Sequence, residues 1–300
     1  MRIVVSGGSG FLGQALVTAL RSDGHSVMVL TRNPRREGDL LWSPDVSSGA
    51  WVAAIHAADV VINLAGEGIA DRRWSASRKK ALLASRVTAT RAIAEALLEA
   101  VRPAAVFLSG SAIGIYGNRG DEIVNEHTPP GTDFLARVCV EWESEAAAAA
   151  DVTRLVLLRS GIVLGREGGA LPRMALPFRF FAGGPIGSGE HYLSWIHRDD
   201  WVALVMRAIE QATLSGPLNL TAPEPVRNRD FALALGRAMH RPASIPTPAF
   251  ALQLALGELA DTALLASQRV LPARAMAEGF EFRYPQLEGA LRAIYSRGPG

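Results

Sequence analysis

Three glycines near the start of the chain, Gly7, Gly10 and Gly13, stand at a spacing that builds an anion site from main chain alone. They follow the apolar run Ile3-Val4-Val5 and lead into Phe11, Leu12, Ala15, Leu16, Ala19 and Leu20, an apolar pattern with helical period. A strand that turns tightly into a helix leaves the first N–H groups of that helix unpaired, with the positive end of the helix dipole behind them. Glycine permits the turn and lets a pyrophosphate come close to the backbone. The spacing predicts a dinucleotide whose diphosphate rests on the turn from Gly7 to Gly10 and on Phe11, Leu12 and Gly13.

The end of the second strand selects among dinucleotides. Sites of this kind that take NAD place an acid about 20 residues past the glycines, against the ribose hydroxyls. Here the run is Val29-Leu30-Thr31-Arg32-Asn33-Pro34-Arg35-Arg36, with no carboxylate and with Arg32 nineteen residues beyond Gly13. A guanidinium holds a 2′-phosphate bidentately where an acid would repel it. NADP(H) is therefore expected over NAD(H), with Arg32, and Arg35 close behind it, at the phosphate. Farther along, Asn63-Leu64-Ala65-Gly66 ends a strand on small residues, which lets the backbone of Leu64, Ala65 and Gly66 pass close to the adenosine.

These groups need a scaffold, and strands and helices alternate through the first half of the chain. Strands are expected over residues 2–6, 25–30, 40–42, 58–64, 104–109 and 154–160, and helices over 11–22, 75–100 and 132–150. Such alternation means parallel strands joined by crossover helices, an α/β Rossmann fold with a doubly wound sheet. After residue 160 the rhythm changes. Gly and Pro crowd 161–189 around a helix over 171–181, a helix follows over 199–213 and a strand over 216–221, and the rest is mostly helical between prolines. The expected organisation is a cofactor domain of residues 1–165, completed by 191–221, and a smaller, mainly helical substrate cap formed by 166–190 and 222–300.

Composition narrows the function classes. Hydrophobic residues at 49% and charged residues at 20% suit a globular enzyme. The 31 basic and 29 acidic residues nearly cancel, so neither nucleic acid nor a membrane surface is an expected partner, and a small-molecule substrate is. A single cysteine, Cys139, allows no intramolecular disulfide and reads as a small buried apolar residue. The six histidines lack metal-ligand spacing, so no metal site is expected. With no signal pattern and no long uncharged apolar run, the expected location is cytoplasmic.

Further motifs follow in order: Arg73-Trp74, Ser85-Arg86-Val87, the run from Ser109 to Gly117, Asp133-Phe134-Leu135-Ala136, Trp142-Glu143, the run from Arg159 to Gly165, the run from Gly183 to Gly189, Trp195-Ile196-His197-Arg198-Asp199 and Asn219-Leu220-Thr221-Ala222-Pro223. With the glycine turn, they resemble the extended and atypical short-chain dehydrogenase/reductases. They are most similar to the epimerase-like subgroup whose C-terminal segment is a domain of unknown function. The resemblance spans essentially the whole chain. It implies that Thr31 and Arg32 bind the 2′-phosphate end, that Leu64 and Ala65 line the adenosine, and that Arg86 reaches the cofactor. It also implies that Ser109 lies in the cofactor segment and that the main chain near Ile162 faces the nicotinamide. To the partners it adds a homodimer paired through its long helices.

The superfamily's Tyr-x-x-x-Lys device, in which the lysine lowers the tyrosine pKa for proton exchange, is missing. Tyrosines stand only at 116, 192, 284 and 295, none with lysine four residues on. The expected position falls in Phe134-Leu135-Ala136-Arg137-Val138-Cys139, where Arg137 has too high a pKa to transfer a proton. By resemblance, Ser111 is the serine that hydrogen-bonds a substrate oxygen. Tyr116, in the loop beyond the strand end, is the candidate for a displaced acid/base. Glu126 and Glu143 are candidates for a polar substrate against an ordinary solvated role. Asp199 is expected to cap the helix after it, and His197 to be structural. Two functions remain open: an NADP(H)-dependent oxidoreductase or epimerase-like enzyme acting on a small polar carbonyl or sugar-like substrate, and a silent NADP(H) sensor.

Overall fold

Continuous apolar runs such as Ile3-Val4-Val5 and Val60-Val61-Ile62 are fully or almost fully buried, as befits strands covered on both faces. The computed structural model describes residues 1–46 and 48–296. Strands β1 (Arg2–Ser6), β2 (Ser26–Thr31), β3 (Asp39–Leu41), β4 (Val60–Asn63), β5 (Val106–Ala112), β6 (Arg154–Ser160) and β7 (Gly216–Leu220) form one sheet. Their spatial order is 3-2-1-4-5-6-7 and every neighbouring pair is parallel. The order reverses between β1 and β4, and ligands of doubly wound sheets sit in the crevice outside the carboxyl ends of the strands at that reversal.

Helices α1 (Phe11–Ser22), α2 (Ala50–His56), α3 (Ala76–Glu99), α4 (Phe134–Ala147), α5 (Leu171–Arg179), α6 (Arg198–Glu210), α7 (Asn228–Met239), α8 (Ala249–Leu256), α9 (Ala273–Ala277) and α10 (Leu287–Ser296) complete the fold. Leu16, Leu20, Trp201 and Leu204 of α1 and α6 share one core with β-strand residues such as Ile3 and Ile62. Trp51, Ile55, Ile93 and Ala146 of α2, α3 and α4 share another with Val4, Val61 and Phe107. Alternate residues of each strand thus enter opposite layers. Phe178 of α5, Phe231 of α7 and Leu291 of α10 pack in a third cluster with Trp195.

Three local expectations change. The strand expected over 104–109 runs on to Ala112, so Ser111 stands on the strand itself. The helix expected over 132–150 is Phe134–Ala147, started by Asp133, whose Oδ1 accepts from Ala136 N at 2.9 Å. Helix α6 starts at Arg198, and its cap is His197 rather than Asp199: His197 Nδ1 accepts from Asp199 N at 3.0 Å. The α2 turn was not expected; Trp51 and Ile55, four apart, bury one face of it. Among the described residues, no helix is long and apolar enough to cross a membrane.

Candidate cofactor and catalytic site

The turn after β1 is held in a shape that only glycine allows. Gly7 has φ +73°, and a Cβ there would lie 2.5 Å from the Leu64 carbonyl oxygen. Gly10 N donates to Gly7 O at 3.1 Å. A Cβ on Gly13 would overlap that same Gly7 oxygen and stand 2.6 Å from Gly8 Cα. Gly10 is the N-cap of α1, so no side chain occupies the helix start, and its first turn carries no acid. The result is a row of N–H groups with positive potential and no internal ligand, which fits a diphosphate.

Buried polar contacts set the facing segment at the end of β4. Ser6 Oγ donates to Asn63 Oδ1 at 2.6 Å, Asn63 Nδ2 donates to Thr90 Oγ1 at 2.8 Å, and Ala65 N donates to Asn63 Oδ1 at 3.1 Å. Leu64-Ala65-Gly66 is thereby pinned against Gly7. Arg86 braces the same turn from α3: its Nη1 and Nη2 donate to the Leu82 and Glu67 carbonyls at 3.0 and 2.9 Å, and its guanidinium lies 5.2 Å from the Trp142 ring. Burial lowers its pKa from the ordinary arginine value. At the other end, Asn33 N donates to Thr31 Oγ1 at 3.2 Å, and Arg35 N and Arg36 N both donate to Asp39 Oδ2 at 2.9 Å. Arg32, Arg35 and Arg36 are exposed, and none of their guanidinium groups is engaged by another described residue. Asp39 is thus turned to loop backbone, and neither it nor the adjacent Glu37 pairs with the three guanidinium groups among the described residues.

The segment after Ile162 closes on the glycine turn. Ile162 N donates to Ser194 O at 2.9 Å, and Cβ atoms on Gly165, Gly168 and Gly169 would lie 2.6, 2.9 and 3.0 Å from Phe11. Ser109, fully buried on β5, has a hydroxyl with no partner among the described residues.

Beside it is a buried ion-pair network. Ser111 Oγ donates to Glu143 Oε1 at 2.6 Å. Arg159 grips the same carboxylate with two nitrogens, Nε to Oε1 and Nη2 to Oε2, both at 2.8 Å. Side chains of Arg159 and Glu143 are only 8% and 11% exposed. Burial opposes the Arg159 charge, but Glu143 and Tyr116 outweigh it and hold its pKa above the ordinary arginine value. Arg159 Nη1 also donates to Tyr116 Oη at 3.0 Å, and Tyr116 Oη donates to Asn219 Oδ1 at 2.7 Å. Glu126 Oε1 accepts from Asn219 N at 3.1 Å, and Asn219 Nδ2 donates to Leu271 O at 3.0 Å.

Tyr116 is therefore not at an open cleft, as its loop position suggested. It is fully buried, its proton is committed to Asn219, and burial raises its pKa against the effect of Arg159. Its geometry is that of a support for Arg159 rather than an acid/base. Leu135 and Cys139, four apart on α4, face Gly114 just beyond Ser111: a Cβ there would be 3.5 Å from Leu135 Cβ and 4.0 Å from Cys139 Sγ. Burial, then the neighbouring Glu143, push the Cys139 thiol up to about 12. Native protein at pH 8 should accordingly react with a thiol reagent at least ~100-fold more slowly than urea-unfolded protein; comparable rates would show an accessible thiol.

Arg159 and Asn219 were missed in the sequence, although each is a polar residue inside an otherwise apolar strand, Leu155–Arg159 and Leu218-Asn219-Leu220. A charge in a buried strand signals a buried partner. Glu143 and Glu126 proved to be network members rather than solvated carboxylates. Away from this network, His197 stacks on Tyr284 with centroids 4.0 Å apart, and Asp200 accepts from Arg283 N and Tyr284 N, both at 2.9 Å. That region fastens the C-terminal segment.

This arrangement agrees with the relatives of the chain. Residues 3–220 match the NAD dependent epimerase/dehydratase family, and residues 247–294 match a domain of unknown function, DUF1731. The epimerase family protein ML0860 of Mycobacterium leprae is 42% identical over 298 residues, covering 98% of this chain and 96% of its own length. The human epimerase family protein SDR39U1 is 37% identical over 297 residues, covering 98% and 99%. The crystal structure of human SDR39U1 isoform 2 with NADPH is similar with a TM-score of 0.91 at 35% identity, over 99% of this chain and 100% of that one. The chain belongs to the NAD dependent epimerase/dehydratase family.

Proposed function

We propose that this protein binds NADP(H) along the carboxyl ends of β1, β2 and β4 and uses it to reduce a small polar carbonyl compound. The observation that carries the cofactor is the uncapped start of α1 together with three exposed arginines past β2 whose guanidinium groups no described residue engages. The diphosphate would rest on Gly10, Phe11, Leu12 and Gly13, the adenosine against Leu64, Ala65 and Gly66, and the 2′-phosphate on Thr31, Arg32 and Arg35. The human relative solved with NADPH supports the choice. Bound there, the cofactor supplies hydride. The protein's part is to orient the acceptor: Ser111, with its proton turned to Glu143, offers an oxygen lone pair to a substrate hydroxyl. Residues 166–190 and 222–296 would cover the acceptor as a cap. Sugar epimerisation is the weaker reading, because it needs reversible alcohol oxidation and hence a base, which Tyr116 does not supply.

The test is calorimetric titration of NADPH and NADH into wild type and Arg32→Ala. Losing one charge-assisted contact, about 1.5–3 kcal/mol, should weaken NADPH binding roughly 10- to 100-fold and leave NADH nearly unchanged. Equal losses for both coenzymes would remove Arg32 from the phosphate site. A sensor without turnover is favoured by the apolar Leu135 and buried Cys139, which face Gly114 three residues beyond Ser111. Tight NADPH binding with no oxidation by any carbonyl would select it.

A further inference from the structure

The acidic and basic side chains traced at the end of β5 and on α4 have their protons engaged or buried. The Ser111 proton points to Glu143, and that carboxylate is clamped by Arg159. The Tyr116 proton is bound to Asn219 in the interior. Leu135 has no proton to give, and the Cys139 thiol is buried. Arg137 donates to Thr132 O at 2.6 Å. The ammonium beside the head of α4, Lys79, lies 4.8 Å from the Phe134 ring centroid and is ion-paired with Glu258.

Chemistry decides what such a site can reduce. Hydride addition to a saturated ketone creates a localised alkoxide, a strong base that must be protonated as it forms, so an acid is required. Hydride transfer to a conjugated dicarbonyl leaves a delocalised anion that is stable enough to wait for water. Resting on the NADP(H)-dependent reading above, we propose that the acceptor is a quinone-class compound. In this step the C4–H bond of the dihydronicotinamide breaks and the hydride, with both electrons, forms an O–H bond at one quinone oxygen. NADPH is oxidised to NADP⁺ and the quinone is reduced to the hydroquinone monoanion, whose second oxygen then takes a proton from water. The new O–H is a donor, and Ser111 Oγ, with its own proton already turned away, is the matching acceptor.

The experiment is anaerobic NADPH oxidation by the full chain, with menadione and cyclohexanone as probes, alongside calorimetric titration of NADPH. Menadione should show a kcat/KM at least ~100-fold above that of cyclohexanone, flat between about pH 6 and 9 and changed less than about 1.5-fold in D₂O, because no protein group transfers a proton in the step. Comparable turnover of cyclohexanone would overturn the proposal, as would a rate that follows a titrating group or slows severalfold in D₂O. So would a protein that binds NADPH and leaves menadione untouched. Failure to bind NADPH at all would instead overturn the cofactor reading beneath it.

Discussion

Arg159→Met should lower folding stability by about 3–5 kcal/mol, the usual cost of leaving one member of a buried ion pair without the other. Four acceptors each lose a donor at once: both oxygens of Glu143, the Tyr116 hydroxyl and the Glu126 carbonyl. The midpoint of urea unfolding should fall without a change in slope, and Tm should drop on the order of 10 °C for a chain of this size. Adding Glu143→Leu should recover a large part of the loss, since replacing both charges by apolar groups removes the stranded carboxylate. A single variant within about 1 kcal/mol of wild type would mean that water reaches the pair and that it is not the buried clamp described here.

Gly13→Ala should weaken NADPH binding about 100-fold or more, because several charge-assisted contacts of about 1.5–3 kcal/mol each depend on one geometry. The added methyl would overlap the Gly7 oxygen and crowd Gly8. To relieve it, the turn must move off the helix start, and the N–H row loses its alignment with the diphosphate. Overpacking should cost a further 1–3 kcal/mol or so of stability. Calorimetry at a temperature well below the variant's Tm separates the two effects. Affinity within a few-fold of wild type would place the diphosphate elsewhere.

Much of the fold and the shape of the glycine turn were legible in the sequence. Strand and helix periodicity predicted the parallel sheet, and the glycine spacing predicted the uncapped turn that the structure shows. Boundaries were less legible. Ser111 proved to be a strand residue because β5 gains three more ladder pairs with β6 at Gly110, Ser111 and Ala112, which no local pattern announces. His197 displaced Asp199 as the cap of α6 because its ring nitrogen reaches the Asp199 amide, a choice between two neighbours that residue preference does not resolve.

Taken alone, the chain's order of residues determined those features whose causes are local: hydrophobic period, tight turns, and a glycine turn into a helix with arginines at the end of the second strand. Only the tertiary structure decided where protons and charges sit around Ser111. Its partner Glu143 is 32 positions away, Glu143 is gripped by Arg159 from a further 16, and Tyr116 meets Asn219 across 103. Burial and hydrogen-bond partners of that kind come from packing distant elements together. They turned Tyr116 from a candidate acid into a support, and they left Ser111 as an acceptor.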